Sequence, residues 1–385
     1  MIAVRNWILL LAVLAATAAV AAFGFLSYAP NRIVPGVARS LHEVAGDGIV
    51  SVLAAAALAL VLLCFLPQRR PVLHIGAVIL LIIFVILLFA AGDGATMLAA
   101  TGVPAGRTSL GPAFWLSLAA ICLALIDVTE QARLSALGRS LLIGAALAML
   151  AGMMWSGLFD DLSLAHEYHA HADAFALEVR RHLTLVVLSA AISGAIGLPL
   201  GVMAFRDPRF GQRLFGVLGI VQTVPSIALF GLLIGPLSAL SGAFPALRSI
   251  GISGIGAAPA LIALVLYSLL PLVRNTVAGL RSVPESVIDA ASGSGMRAAQ
   301  IMRQVMLPLA LPVILSGFRI VVIQTIGLTV VAALIGAGGL GTFVFQGLGQ
   351  NAIDLVLLGV IPTIVLALAG DVLFSLAAAN LTETP

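Results

Sequence analysis

The chain has 385 residues, of which 61% are hydrophobic and 9% charged, with a formal net charge of +3. Soluble domains carry about 25% charged residues, so this composition excludes a water-soluble domain and calls for lipid as the solvent. All 19 basic residues are arginine; without lysine the chain cannot form a Gly-x4-Gly-Lys-Ser/Thr phosphate loop, and any ATP that drives its work must be bound by another subunit.

A helix that crosses the hydrocarbon core needs about 20 apolar residues. Ten segments fit, at 7–27, 47–66, 72–91, 111–127, 139–158, 178–205, 212–240, 257–276, 309–335 and 352–378; the fourth is short and prolines interrupt the seventh. The expected fold class is therefore all-α, a polytopic membrane protein of about ten helices. The first segment follows Arg5, and its apolar run exceeds that of a signal peptide, so it reads as an uncleaved span. Cys64 and Cys122 lie inside apolar runs and are expected as small buried hydrophobes, not a disulfide pair. Arginine placement sets orientation. With the N-terminus in the cytoplasm, the inner loops hold Arg69, Arg70, Arg133, Arg139, Arg206, Arg209 and Arg213, and the outer loops hold fewer. Both termini are then cytoplasmic.

Composition changes near 160–177. Residues 1–176 form an N-terminal membrane region of about five Ala/Leu-rich helices, and 177–380 form a second region dense in Gly, Pro, Gln, Thr and Ser. At the change lies HEYHAHAD, with His166, Glu167, His169, His171 and Asp173. Its spacing matches no familiar zinc pattern, so it is expected to be a solvated outer loop, and no metal is expected in the chain.

In the sixth span, Gly194, Gly197 and Gly201 permit close helix approach. The seventh opens with Gln222-Thr223-Val224-Pro225-Ser226. Its polar side chains can satisfy the backbone that Pro225 disturbs; alternatively Gln222, Thr223 and Ser226 face a polar translocation path. Gln324, Thr325 and Thr329 in the ninth span are similar candidates. Among the Trp and Tyr residues, Tyr267 alone falls inside the C-terminal spans, where an aromatic face would suit a quaternary ammonium ion. Gly336 to Gly341 spells G-x-G-x-x-G, but it ends a membrane span with no strand before it, so it reads as a backbone break at the outer mouth and not as a dinucleotide fingerprint. Ionisable groups at mid-membrane depth are scarce: Arg319 lies in the ninth span, Asp371 near the inner end of the tenth, and His74 and Asp127 near span ends. That scarcity argues against a proton relay.

The stretch from Pro284 to Pro308 stands out as polar and rich in small residues. Pro284 and Glu285 can start a helix, Ala290 and Ala291 give it a flat face, and Gly293 and Gly295 can turn the chain. A second run, Met296 to Val305, then leads to Leu307-Pro308. This predicts a helix–turn–helix lying across the inner surface as a docking site for a soluble partner.

The stretch resembles the EAA motif of ABC importer permeases: E-A-A, three residues, Gly, nine residues, then I-x-L-P. Here it reads Asp289-Ala290-Ala291, Gly295, Val305-Met306-Leu307-Pro308, with every spacing kept, Asp for Glu and Val for Ile. QTVPSIALFGLL, PALIALVLYSLLPLVRNTVAGL and AALIGAGGLGTFVFQGL look like segments of permeases that import glycine betaine, choline and related osmoprotectants. The N-terminal spans, with SYAPNR at Ser27 to Arg32, are similar to the longer permease of Yeh-type osmoprotectant importers. The resemblance implies a type I importer permease fold in the C-terminal half and a non-catalytic subunit of the bacterial inner membrane. It implies a cytoplasmic ATPase dimer that uses ATP and Mg, a periplasmic substrate-binding protein, and a second permease copy or a shorter sister permease. No cofactor is expected on this chain. Asp289, Ala290, Ala291, Gly295, Arg297, Leu307 and Pro308 would make the ATPase contact, with Gly295 setting the turn and Asp289 and Arg297 as charged contacts. The competing expectation is a self-contained secondary transporter or channel for a small polar solute.

Overall fold

The computed structural model describes residues 4–32, 34–134, 136–249 and 251–382. It separates into two compact units, Met1–Ala170 and His171–Pro385. The first contains α1 (Trp7–Ala22), β1 (Leu26–Ala29), β2 (Val37–Arg39), α2 (Leu41–Leu63), α3 (Arg70–Thr101), β3 (Arg107–Leu110), α4 (Pro112–Gln131), α5 (Ala136–Trp155) and α6 (Ser163–Ala170). Asn6 starts α1: its carboxamide oxygen accepts the Leu9 N–H at 2.9 Å, and its amide nitrogen donates to Asp127 on α4 at 2.8 Å. Buried apolar residues such as Leu9, Phe25, Leu60, Leu80, Phe114 and Ile121 form this unit's core.

The all-helical expectation misses a small sheet of order β2-β1-β3, antiparallel throughout, with Leu26 opposite both Arg39 and Leu110. The first span consequently ends at Ala22, earlier than residue 27. Between spans the backbone has left its helical hydrogen bonds, and pairing the short extended pieces satisfies it. HEYHAHAD is also not a loop. Its first part is helix α6, and Glu167 is buried there in an ion pair with Arg32 at 3.2 Å. Cys64 is buried as expected, whereas Cys122 is exposed on α4.

The second unit contains α7 (Ala172–Arg206), α8 (Pro208–Thr223), α9 (Ser226–Ala243), α10 (Ala246–Ser249), α11 (Ala257–Arg281), α12 (Glu285–Gly293), α13 (Ala298–Gln300), a π-helical turn (Ile301–Met306), α14 (Leu307–Ala332), a 3-10 turn (Ala333–Ile335), α15 (Gly341–Gly349) and α16 (Ile353–Thr382). Helices α7, α11 and α14 pack against one another. The glycines of α7 make this possible. A Cβ would stand 2.8 Å from Phe318 at Gly194, 2.9 Å from Leu272 at Gly197 and 2.5 Å from Thr276 at Gly201.

Among the described residues, eight helices are long and apolar enough to cross a membrane, and Trp7–Ala22 and Gly144–Trp155 are shorter apolar helices. The predicted seventh span, 212–240, is not one interrupted helix. It is two helices, α8 and α9, and only α9 qualifies as a span. Pro225 forces the break, because the residue before a proline is pushed out of the helical region, and Val224 is extended at φ −73°, ψ 129°.

Candidate functional site

The segment with the spaced motif is built from its first helix outward. Pro284 precedes α12, and Glu285 lies in its first turn. The helix ends in a Schellman arrangement: Gly295 N–H donates to the Ser292 carbonyl at 2.9 Å, and Met296 N–H donates to the Ala291 carbonyl at 3.3 Å. Gly295 sits at φ +82°, in the left-handed region that favours glycine, and a Cβ there would meet nothing within 4 Å. The position therefore needs glycine for its backbone and not for space. Ala291 turns inward onto a cluster with Ile301, Met302 and Met306, while Asp289, Ala290 and Arg297 are exposed. Ala290 and both charges thus remain open to a partner, whereas Ala291, expected on the same flat face, packs inward instead.

The second run is not a separate surface helix. It is α13 and the π-helical turn, and both continue into α14 without a break. The reason is local. Pro308 has no N–H and its ring crowds the preceding turn, and the wider π turn accommodates it, with the Leu307 N–H reaching back to the Met302 carbonyl. Such turns concentrate at functional sites. Leu307 and Pro308 open α14, so the run from Ala298 onward is continuous with the membrane helix.

At its other end α14 stops where expected. Gly336, Gly338 and Gly339 have φ of +77°, +74° and +89°. The break is fastened to α7. The Glu178 carboxylate accepts the Gly339 N–H at 2.5 Å, and His182 Nδ1 accepts the Leu340 N–H at 3.3 Å; Glu178 also pairs with Arg181 at 2.6 Å. Both acceptors are buried. Glu178 and His182 are not among the site residues expected from the sequence. Their signal was an acid and an imidazole four residues apart at the start of an apolar helix, one turn apart on a single face.

The polar residues named as path candidates lie in different settings. Pro271 has no N–H for the Tyr267 carbonyl four residues earlier, and Gln222 supplies the missing donor at 2.9 Å. The Tyr267 hydroxyl in turn donates to the Val224 carbonyl at the α8–α9 break. Tyr267, Thr325 and Thr329 are buried. Thr325 lies 3.3 Å from the Ser268 hydroxyl, and Thr329 donates to the Thr325 carbonyl at 2.7 Å. Gln324 and Ser226 are half-buried, and Thr223 is exposed with its hydroxyl on the Ile220 carbonyl at 2.7 Å. Among the described residues, no three His, Cys, Asp or Glu side chains are grouped to hold a metal ion. The structure also pairs Arg319 with Asp371 across α14 and α16, and it puts Arg274, which the sequence reading overlooked, over the Phe215 ring at 5.9 Å.

An exposed helix with a glycine turn leads into a membrane helix whose far end closes on a glycine break, within a chain of membrane-spanning helices. Residues 195–382 match the model of the binding-protein-dependent transport system inner membrane component, and residues 4–165 match that of the N-terminal domain of ABC transporter permease YehY. The osmoprotectant import permease protein OsmW of Salmonella typhimurium is 41% identical over 191 residues, which is 50% of this chain and 84% of that protein. The choline transport system permease protein OpuBB of Bacillus subtilis is 34% identical over 201 residues, 52% of this chain and 85% of that protein. The carnitine transport permease protein OpuCB of Listeria monocytogenes is 38% identical over 206 residues, 53% of this chain and 86% of that protein. The chain belongs to the binding-protein-dependent inner-membrane permeases of ABC importers. It is a multi-pass membrane protein with the type I importer permease fold, of the kind that works with an ATPase and a substrate-binding protein.

Proposed function

We propose that the chain is the pore-forming subunit of an importer that carries small quaternary ammonium osmoprotectants, such as glycine betaine, choline or carnitine, into the cytoplasm. The 41% identity shared with an osmoprotectant import permease along 84% of that protein carries this reading. Both termini and the Asp289–Pro308 segment face the cytoplasm. The chain itself catalyses nothing and holds no cofactor; ATP and Mg act on the ATPase dimer. Asp289, Ala290, Gly295 and Arg297 seat the ATPase, with buried Ala291 and the Leu307-Pro308 start of α14 holding that surface in place, and a second copy or a shorter sister permease completes the pore. Gln222, Thr223, Ser226, Tyr267, Gln324, Thr325 and Thr329 come to line the path as the helices part.

The continuity of the π turn with α14 supports a lever. At 1.5 Å per residue α14 is about 39 Å long, enough to carry a displacement at the ATPase to the glycine break held by Glu178 and His182. ATP then acts by stabilising one of two packings of this element. Reconstitution with the ATPase and binding protein tests the reading: labelled glycine betaine or choline should accumulate only with ATP. Uptake by the chain without ATPase, down an ion gradient, would overturn it in favour of a secondary transporter.

A further inference from the structure

Arg319 and Asp371 form an ion pair that the lever does not use. Arg319 is near the middle of α14, about 18 Å along the axis from Leu307 and about 20 Å from Ala332 at 1.5 Å per residue. Its Nε and Nη2 both lie 2.6 Å from one oxygen, Asp371 Oδ1. Asp371 Oδ2 and Arg319 Nη1 have no partner among the described residues. The two side chains keep 43% and 35% of their surface exposed. Charge left open at this depth is not tolerated against hydrocarbon, and such groups face a water-filled cavity or a polar partner. The rest of α16 agrees. Val365, Val372 and Leu376, on other faces, are exposed and apolar, whereas on the Asp371 face apolar Leu368 lies one turn before it and polar Ser375 one turn after. On α14, exposed Ser316 precedes Arg319 by one turn. Because α14 and α16 run antiparallel here, with Arg319 beside Asp371 and Gly370 beside Val322, both serines lie toward the end of α14 that joins the coupling segment. Polar positions thus extend from the ion pair toward that end.

We propose that the Arg319–Asp371 face of α14 and α16 is a binding site in the pore for a zwitterion that carries a carboxylate and a quaternary ammonium. The substrate carboxylate takes the free Arg319 Nη1 in a charge-assisted hydrogen bond. The ammonium has no N–H and is held by charge at Asp371 Oδ2. A neutral ion pair with one open donor and one open acceptor matches a neutral dipolar ligand, and a purely cationic one engages Asp371 alone. The site therefore favours glycine betaine over choline. This inference rests on the importer reading above.

Two measurements on the assembled transporter test it. In a Cys64→Ala, Cys122→Ala background, Ser316→Cys should react with a membrane-impermeant charged thiol reagent, and glycine betaine should slow the reaction several-fold more than choline does. Val365→Cys, on another face of α16, should stay unreactive. If Ser316→Cys is as inert as Val365→Cys, the face is not aqueous and the proposal falls. Next, Arg319→Met with Asp371→Leu removes both charges together and leaves neither stranded. The ratio of glycine betaine to choline uptake should fall at least tenfold in this variant, with assembly intact. An unchanged ratio would make the pair a helix staple only. Should the wild type move neither compound, the osmoprotectant reading fails, while the Ser316→Cys labelling still decides whether this face meets water.

Discussion

Gly295 offers the sharpest test of coupling. Its φ of +82° is left-handed, and no atom lies within 4 Å of where a Cβ would be. Any effect of substitution must come from the backbone, since there is nothing to clash with. A non-glycine residue pays roughly 1–2 kcal/mol in this conformation, Asn less because its side chain tolerates it, and a β-branched residue most. One to two kcal/mol reduces the population of the native turn by about 5- to 30-fold. ATP-driven uptake in proteoliposomes should then follow Gly > Asn > Ala > Val at position 295. Insertion and thermal stability of the membrane helices should not change, because the turn is exposed. Basal hydrolysis by the ATPase should continue without transport. An order that follows side-chain size, with Ala better than Asn, would refute the backbone argument. Normal uptake by Gly295→Val would remove the coupling role.

Gln222→Ala leaves the Tyr267 carbonyl without a donor and should lower stability by about 1–3 kcal/mol; adding Pro271→Ala, which restores an N–H four residues on, should recover most of it in a thermal melt. Glu178→Ala strands the Gly339 N–H and should cost a similar amount, about 1–3 kcal/mol, whereas Glu178→Gln keeps an acceptor and should behave close to wild type; equal melting of the two variants would sink the fastening role. Gly201→Leu places its Cβ 2.5 Å from Thr276 and should destabilise α7–α11 packing by about 1–3 kcal/mol, while Gly216→Leu, with nothing within 4 Å, should be neutral in the same detergent melt.

Much of the fold was legible in the chain because lipid leaves few options. Apolar runs of sufficient length must be helices, and all but one of the ten expected segments correspond to a single helix. The motif from Asp289 to Pro308 was equally legible, since its residues are close in sequence and its glycine is required by local backbone geometry. The failures were also local in origin. Pro225 divides the seventh segment because it acts on the residue before it, and the strands near Leu26 are too short to show a period of two. HEYHAHAD read as solvated loop because composition alone does not register that Arg32, far away in sequence, neutralises Glu167.

The chain by itself determined that this is a membrane permease without the lysine that a phosphate loop needs, and where its spaced motif lies. A missing lysine, a hydrophobic majority and a spaced motif are all one-dimensional facts. Only tertiary structure decided that Gln222 answers Pro271, that Glu178 and His182 hold the glycine break, and that Arg319 meets Asp371. Each of these joins groups 45 to 161 residues apart. At that separation a polar residue carries no sign of its partner, and whether it is satisfied or left open depends on which helices the packing brings together.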